Sequence, residues 1–257
     1  MKKLDLKQIY DYVESHISVF HQKRLDYVKN KVNLLKILKQ KNPYLFKAKN
    51  ILTAQDLIKG FLDAFLQSQE ETLFGDFIEG LAIFVCDKVY GAKKSSLTGI
   101  DLQFEKDGII YIVEIKAGWN WGNSSQIKQL RINFKNAKKI LQEKTRKKVI
   151  AVNGCCFGKD NKPDKNGYLK LCGQRFWEFI SGNKKLYIDI IEPIGHRAKE
   201  RNEEFLESYA QIINKLTIEF SQKFCDDGKI NWTKLIEYNS GFKQIAKNRK
   251  TNSPGKS

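Results

Sequence analysis

One apolar segment, residues 109–116, constrains the fold of this chain more than any other part of its sequence. It reads Ile-Ile-Tyr-Ile-Val-Glu-Ile-Lys and directly follows Asp107-Gly108, a pair of residues that favours a tight hairpin turn. On the other side of the turn, residues 98–104 also have the composition of a short strand. The two runs predict a β-hairpin, and the unbroken apolar character of its second strand indicates a central position in a sheet.

The segments after the hairpin predict how the sheet is completed. Apolar residues recur at helical spacing in residues 127–141, and residues 149–152 form a β-branched run that returns to the sheet as a strand. The order helix, hairpin, helix, strand predicts an α/β fold, in which a mixed central sheet is flanked by helices and joined by a right-handed crossover. Three further elements are predicted, a short helix, a strand and a long helix, at residues 175–180, 186–191 and 197–220.

The N-terminal residues 1–70 carry only the helical period. Two amphipathic helices precede the break at Asn42-Pro43, and a further helix is expected at 53–65. A separate helix is expected at 73–89, just before the hairpin. The sequence therefore predicts an N-terminal all-helical subdomain next to the α/β region.

The charge of the chain indicates its partners. The chain has 46 Lys and Arg residues against 29 Asp and Glu residues, a net charge of +17 that attracts polyanions. The apolar runs fall short of the ~20 residues that a membrane span needs, and no secretory signal begins the sequence, so membrane and exported proteins are excluded. Five cysteines without a C-x-x-C motif indicate reduced thiols in a cytoplasmic protein, and neither a disulfide framework nor a zinc site.

Three ionisable residues on the predicted hairpin form a candidate catalytic site. Glu114 and Lys116 point to the same face of their strand because side chains alternate, and Asp101 on the neighbouring strand can reach the same place. Two carboxylates and the carbonyl oxygen of Ile115 form an all-oxygen site of the kind that Mg²⁺ accepts. Such a metal ion activates water and neutralises phosphodiester charge, while Lys116 orients the water or stabilises the developing anion.

The spacing of these residues is not specific by itself. An Asp followed by Glu-x-Lys within ~10–25 residues is expected about once by chance in a chain this rich in charge, and ion pairs on an exposed hairpin would give the same pattern. The context favours a site, because Glu-Ile-Lys ends an apolar strand and residues 128–148 hold nine basic residues and one acidic residue. Glu79, a lone carboxylate in the apolar run 77–85, either turns to solvent or finds its partner at this site.

Gly99-Ile100-Asp101 and Glu114-Ile115-Lys116 resemble the core of the PD-(D/E)xK nucleases, with Ile100 in place of the proline. Gly75-x-x-x-Glu79 resembles the additional acidic position of many members. Three stretches, residues 118–126, 151–158 and 172–177, are similar to a type II restriction endonuclease family that cuts interrupted G/C-rich palindromes of the GGNCC kind. The resemblance covers roughly residues 75–220.

The resemblance implies a homodimeric, Mg²⁺-dependent restriction endonuclease with a restriction-endonuclease-like core. Each subunit would cut one strand of double-stranded DNA and leave a 5′-phosphate. The catalytic set would be Asp101, Glu114 and Lys116 with Glu79 as a weaker fourth member, and the metal ligands would be Asp101, Glu114 and Ile115. A cognate methyltransferase is expected in the same system, without a stable complex.

With this function, the domains can be assigned. Residues 1–70 are expected to form the dimerisation subdomain, and residues 71–257 the catalytic and DNA-binding domain with C-terminal helices and a basic tail at 243–256. Candidate DNA contacts come from the segment after Lys116, from a lysine-rich loop after Val152, and from an Arg and a Gln suited to reading bases. These residues are Asn120, Asn123, Ser124, Gln126, Lys159, Lys162, Lys165, Tyr168, Gln174 and Arg175. Trp119 and Trp121 are expected to pack in a turn.

Two other functions fit the same residues. A structure-selective or repair nuclease on the same core would cut without sequence preference, and the similarity after Lys116 argues against it. A non-catalytic, basic nucleic-acid-binding protein would bind DNA without cutting.

Overall fold

The computed structural model describes residues 2–242, which form two compact units. One unit contains the residues up to 26 together with 68–206, and the other contains 27–67 together with those from 207 onward. The helices are α1 (Leu6–Asn30), α2 (Leu34–Gln40), α3 (Pro43–Ala48), α4 (Ala54–Tyr90), α5 (Ser124–Gln142), α6 (Gln174–Ser181), α7 (Leu186–Asp189), α8 (Ile191–Ile194), α9 (Ala198–Phe224) and α10 (Trp232–Ser240). The strands are β1 (Lys93–Lys94), β2 (Leu102–Lys106), β3 (Ile109–Gly118), β4 (Val149–Phe157), β5 (Leu169–Cys172), β6 (Cys225–Asp226) and β7 (Lys229–Ile230).

The predicted hairpin lies in a five-stranded sheet with the order β1-β2-β3-β4-β5. Strands β1, β2 and β3 are antiparallel, whereas β4 runs parallel to both β3 and β5. Asp107 and Gly108 both have positive φ, 52° and 75°, which is the conformation of the tight turn that matches the twist of a hairpin. The prediction of a mixed central sheet flanked by helices, with a helical N-terminal region, is confirmed.

Both faces of the sheet are covered, and this buries its central strands. Leu130, Phe134 and Ala137 of α5 pack on one face, and the buried apolar residues of α4 and α6 pack on the other. The apolar residues of α5 therefore face the sheet, as their helical spacing predicts, and the lysines of that helix lie on its other side. The second unit has its own core, in which Asn239 Nδ2 of α10 donates to the backbone oxygen of Leu38 at 2.6 Å.

The first strand of the hairpin begins later than predicted, at Leu102 instead of residue 98. Gly99 has φ +70° and lies against the Asn133 side chain of α5, which leaves no room for a Cβ. Such a position requires glycine, and the chain enters the sheet only after it. Asp101 consequently lies on the approach to the strand.

Other boundaries predicted from the sequence were wrong. Residues 186–191 are helical in α7 and the start of α8, because Leu186 and Ile190, four residues apart, are the buried positions, a helical spacing. The fifth strand, β5, was not predicted. The helices expected at 53–65 and 73–89 are one helix, α4, since no proline interrupts it.

The boundary expected at residue 70 also falls within α4, so the two compact units divide the chain elsewhere. Residues 2–70 contain only helices and their connections, as expected. The predicted basic tail at 243–256 lies outside the described residues. No helix within residues 2–242 combines the length and the apolar character needed to cross a bilayer.

Candidate active site

Asp101 is fixed to the end of strand β3 by two hydrogen bonds. Its backbone N–H donates to the Val113 oxygen at 2.9 Å, and its Oδ2 accepts from the Ile115 N–H at 2.6 Å. The carboxylate therefore has a structural partner on the strand that carries the Glu-Ile-Lys sequence. The approach to β2 and the end of β3 bring Asp101 to Glu114, as the sequence predicted.

Glu114 and Lys116 form an ion pair at this place, with 2.7 Å between Lys116 Nζ and Glu114 Oε1. Glu114 is buried, and its second oxygen, Oε2, is inaccessible and has no hydrogen-bond partner. Burial raises the pKa of Glu114 and the nearby charge of Asp101 raises it further, whereas the hydrogen bond and charge of Lys116 oppose that rise. The protein thus holds two carboxylates close together with one cation that neutralises only part of their charge.

Glu79 of α4 belongs to the same electrostatic cluster. Burial raises the pKa of Glu79, Asp101 raises it further, and the cations of Lys94 and Lys116 lower it. Of the two orientations that the sequence left open, the one toward the strand site agrees with this coupling. The structure therefore brings Asp101, Glu114 and Lys116 together, and Glu79 is coupled to them by charge; the catalytic roles of all four stay predictions.

Two further residues of the site were missed by the sequence analysis. Asn153 of β4 lies opposite Glu114 in the strand register and is 1% exposed. Its Nδ2 donates to the backbone carbonyl oxygen of Glu114 at 3.2 Å, and its Oδ1 accepts from Trp121 Nε1 at 3.0 Å. The ring of Trp121 lies 4.9 Å from Lys116 Nζ. A lone amide in an otherwise apolar strand was the available signal, because a buried polar group needs partners.

The cluster fits a divalent cation. The unpartnered oxygen of Glu114 is the kind of buried atom that a cation would satisfy, and Asp101 adds a second hard oxygen donor. In the described residues, no three His, Cys, Asp or Glu side chains are arranged to hold a metal ion by themselves.

The candidate DNA contacts fall into two groups. Asn123 and Gln126 form the capping box of α5, and Tyr168 is buried against Phe134, so these three side chains have structural partners. Asn120, Ser124, Lys159, Lys162, Gln174 and Arg175 are exposed, while Lys165 pairs with Asp160 at 2.9 Å.

A cavity of about 610 Å³ connects part of the second group with the catalytic strand. Its wall includes Ala117, the residue after Lys116, together with Lys159, Gln174 and Arg175. Arg175 Nη1 donates to the backbone oxygen of Asp160 at 3.3 Å, and Gln174 Nε2 donates to the backbone oxygen of Lys184 at 3.2 Å. Exposed donors therefore border a cavity that reaches the end of strand β3 at Ala117.

The mixed five-stranded sheet flanked by helices is consistent with a restriction-endonuclease-like α/β fold. The family model described as type II restriction endonuclease EcoO109I matches residues 7–202, a span that contains every candidate site residue. The chain belongs to this family and is a type II restriction endonuclease, a site-specific deoxyribonuclease that acts on DNA. The resemblance to a family that recognises an interrupted GGNCC-type site is thereby confirmed. A search of curated proteins gave no match.

Replacing Glu79 with Gln should raise the melting temperature of the metal-free protein at neutral pH. Because the pKa of Glu79 is raised in the folded state, its ionisation costs stability above that pKa, and the cost disappears below the ordinary Glu value of about 4.3. The gain from Glu79→Gln should therefore shrink as the pH falls. Thermal unfolding in EDTA measures it, with the exposed Glu105→Gln as the control. A neutral-pH melting temperature below that of the unmodified protein would contradict the unfavourable burial of the Glu79 charge.

Proposed function

We propose that this enzyme is a Mg²⁺-dependent PD-(D/E)xK endonuclease that makes double-strand cuts with Asp101, Glu114 and Lys116. Type II restriction endonucleases generally use a divalent metal ion, and the finer assignment to Mg²⁺ rests on the few hard oxygen ligands at this site. The observation that carries the proposal is the buried, unpartnered oxygen of Glu114 beside Asp101. Asp101, Glu114 and the Ile115 carbonyl would hold the ion, with Glu79 in support.

Each residue has a distinct part in cleavage. A bound cation supplies Lewis-acid stabilisation of phosphodiester charge and lowers the pKa of a bound water. The Asp101 carboxylate is held in place because its Oδ2 accepts from the Ile115 N–H. Glu114 pairs with Lys116 through Oε1, and its buried Oε2, which has no hydrogen-bond partner, would be the ligand to the ion. Lys116 Nζ donates hydrogen bonds to the attacking water or to a phosphate oxygen and stabilises the charge that develops there.

We propose an interrupted, G/C-rich palindrome as the recognition site. The support is the family membership together with Gln174 and Arg175 on the wall of the cavity that begins at Ala117. Arg recognises guanine through two hydrogen bonds in the major groove, so Arg175 is the candidate reader of the G·C pairs. A cognate methyltransferase acting on the same sequence in the cytoplasm would protect the host DNA, without forming a stable complex with this enzyme.

Digestion of a plasmid of known sequence tests the proposed function. Discrete bands that need Mg²⁺ and disappear with EDTA are expected, and sequencing of the fragment ends gives the site and the 5′-phosphate. A smear, or preferential cutting of branched DNA, would indicate a structure-selective nuclease. A mobility shift without cleavage under all metal conditions would indicate a DNA-binding protein without catalysis.

Arg175 and the loop lysines should differ in what they contribute to binding. Arg175→Ala should weaken binding to cognate DNA by ~10–100-fold and leave random DNA almost unchanged, because a bidentate base contact carries discrimination. Lys159→Ala with Lys162→Ala should weaken both duplexes equally and flatten the salt dependence, because phosphate contacts release counterions. Binding titrations with Ca²⁺ over a range of salt concentrations measure this. Equal loss on both duplexes for Arg175→Ala would remove it as a base reader.

We further propose a homodimer that reads the palindrome by two-fold symmetry, joined through the predicted helical subdomain. Tyr44, Leu45 and Leu52 expose 57%, 49% and 73% of their surface there, which is unusual for large apolar residues so close together. Sedimentation should give about twice 29.8 kDa. Leu45→Glu with Leu52→Glu should give the monomer, whereas Ile188→Glu, an exposed apolar residue elsewhere, should not. A monomer at all concentrations, with and without DNA, would contradict the proposal.

A further inference from the structure

Four contacts form a closed ring around the Lys116 side chain. Lys116 Nζ pairs with Glu114 Oε1 at 2.7 Å and lies 4.9 Å from the ring of Trp121. Trp121 Nε1 donates to Asn153 Oδ1 at 3.0 Å, and Asn153 Nδ2 donates to the backbone carbonyl oxygen of Glu114 at 3.2 Å. The ring closes at Glu114, whose side chain pairs with Lys116 and whose backbone oxygen accepts from Asn153.

The ring restricts a side chain that is otherwise mobile. Lys has four rotatable methylene groups and a point charge that accepts many geometries, so the pairing with Glu114 leaves the position of its ammonium only partly determined. The face of an indole attracts a cation and adds a second, independent restraint from a different direction. The indole itself can serve this purpose only if its own position is fixed.

The local structure fixes the indole from both sides. Gly122, the next residue, has φ +79° and makes the turn, and Asn123 and Gln126 then start α5 with a capping box. On the other side, the Trp121 N–H bonds to Asn153, an amide that is 1% exposed and held by strand β4. An amide buried to this degree needs its hydrogen-bond partners, so a rotation of the Trp121 side chain that breaks this bond would cost stability.

We propose that Trp121 and Asn153 are positioning residues for Lys116: the buried amide orients the indole, and the indole face holds the Lys116 ammonium in the place where it acts on the scissile phosphate. This inference rests on the proposed catalytic role of Lys116. Neither residue touches the reacting atoms in this scheme, so both act through the lysine. Binding of DNA does not require the ring, but the rate of cleavage does.

Single-turnover cleavage at saturating enzyme tests the inference. Trp121→Leu should lower the rate by ~10²-fold, the usual cost of a catalytic group misplaced by about 1 Å, and leave Ca²⁺-supported binding of cognate DNA within about threefold. Trp119→Leu is the matched control, since it removes a neighbouring indole that lies near Lys170 instead, and it should not change the rate. A wild-type rate for Trp121→Leu would overturn the proposal.

A double-mutant cycle separates an effect through Lys116 from a general disturbance. In a Lys116→Ala background, Trp121→Leu should change the remaining rate by less than about threefold, because the group that it positions is gone. A full loss in that background would overturn the proposal. Should Trp121→Leu fail to fold, Trp121→Phe keeps a ring face and removes only the bond to Asn153. It should lower the rate less, and again only when Lys116 is present.

A measurement on the metal-free protein tests the ring without cleavage. The chain has four tryptophans, and the indole N–H signal lost in Trp121→Phe identifies Trp121 in a nitrogen–proton correlation spectrum. That proton should exchange with solvent much more slowly than the one of Trp119, which is 46% exposed, and Asn153→Leu should abolish the difference. Equal exchange of the two protons in the unmodified protein would overturn the proposal. If Lys116→Ala cut DNA at the normal rate, the proposed catalytic role of Lys116 would fail. The exchange rates do not depend on that role, so the two failures can be distinguished.

Discussion

Asp101→Asn and Glu114→Gln are each expected to abolish Mg²⁺ binding and to lower single-turnover cleavage by ~10³-fold or more. Each substitution removes a negative charge from an oxygen site in which few protein ligands hold the ion. Loss of several kcal/mol of charge stabilisation in the transition state corresponds to about this factor in rate. Cation binding, followed by the rise in melting temperature with Mg²⁺ concentration, should be lost in parallel with cleavage.

The structure determines which substitutions give a clear answer. Asp101 Oδ2 accepts a hydrogen bond from the Ile115 N–H, so Asp101→Ala would leave a buried donor without a partner and cost stability as well as charge, on the order of 1–3 kcal/mol. Asn keeps an acceptor oxygen at that place and changes only the charge. Glu105→Gln on the same hairpin is the matched control, because Glu105 is exposed and pairs with Lys147 away from the site. A Glu114→Gln protein that binds Mg²⁺ normally would remove Glu114 from the ligand set.

The hairpin and its acidic and basic residues could be predicted because they depend on local sequence. Asp107-Gly108 selects the turn, and strand alternation then puts Glu114 and Lys116 on one face whatever the rest of the chain does. Glu79 could be selected for a similar reason, since a carboxylate in an apolar helix needs an explanation. Its coupling to Asp101 depends on how α4 packs against the sheet, and that packing could not be predicted from the spacing of apolar residues along α4.

The features that the sequence did not reveal depend on contacts between distant segments. Asn153 belongs to the site because the parallel pairing of β3 with β4 places it opposite Glu114. The register between two strands that are joined by a crossover helix cannot be predicted from the sequence of either strand alone. Strand β5 is only four residues long and has Lys170 in its interior, so it has no clear period. Residues 186–191 are apolar at most positions, a pattern that is typical of a buried strand. Only the observed burial of Leu186 and Ile190, four residues apart, shows the helical period.

Lys116→Ala should produce a different defect from the carboxylate substitutions. It removes a cation but no metal ligand, so Mg²⁺ binding and specific DNA binding should survive while cleavage falls by ~10²–10⁴-fold, the usual contribution of one electrostatic or proton-transfer group. The pair with Glu114 adds one condition. Lys116 opposes the rise of the Glu114 pKa, so without it that pKa should rise further and protons should compete better with the metal ion.

The comparison is therefore best made at mildly alkaline pH, where protons compete least with the metal ion for Glu114. Single-turnover cleavage of a cognate duplex at saturating Mg²⁺ gives the rate, and a Ca²⁺-supported binding assay gives the affinity. Lys106→Ala, which removes another lysine of the hairpin, controls for the loss of one positive charge and should cut normally. Parallel loss of Mg²⁺ affinity and rate in Lys116→Ala would mean that the lysine only organises the carboxylates. A rate close to that of the unmodified enzyme would mean that Glu114 and Lys116 form only an ion pair on a strand. The contacts that hold Lys116 against Trp121 would then have no role in cleavage.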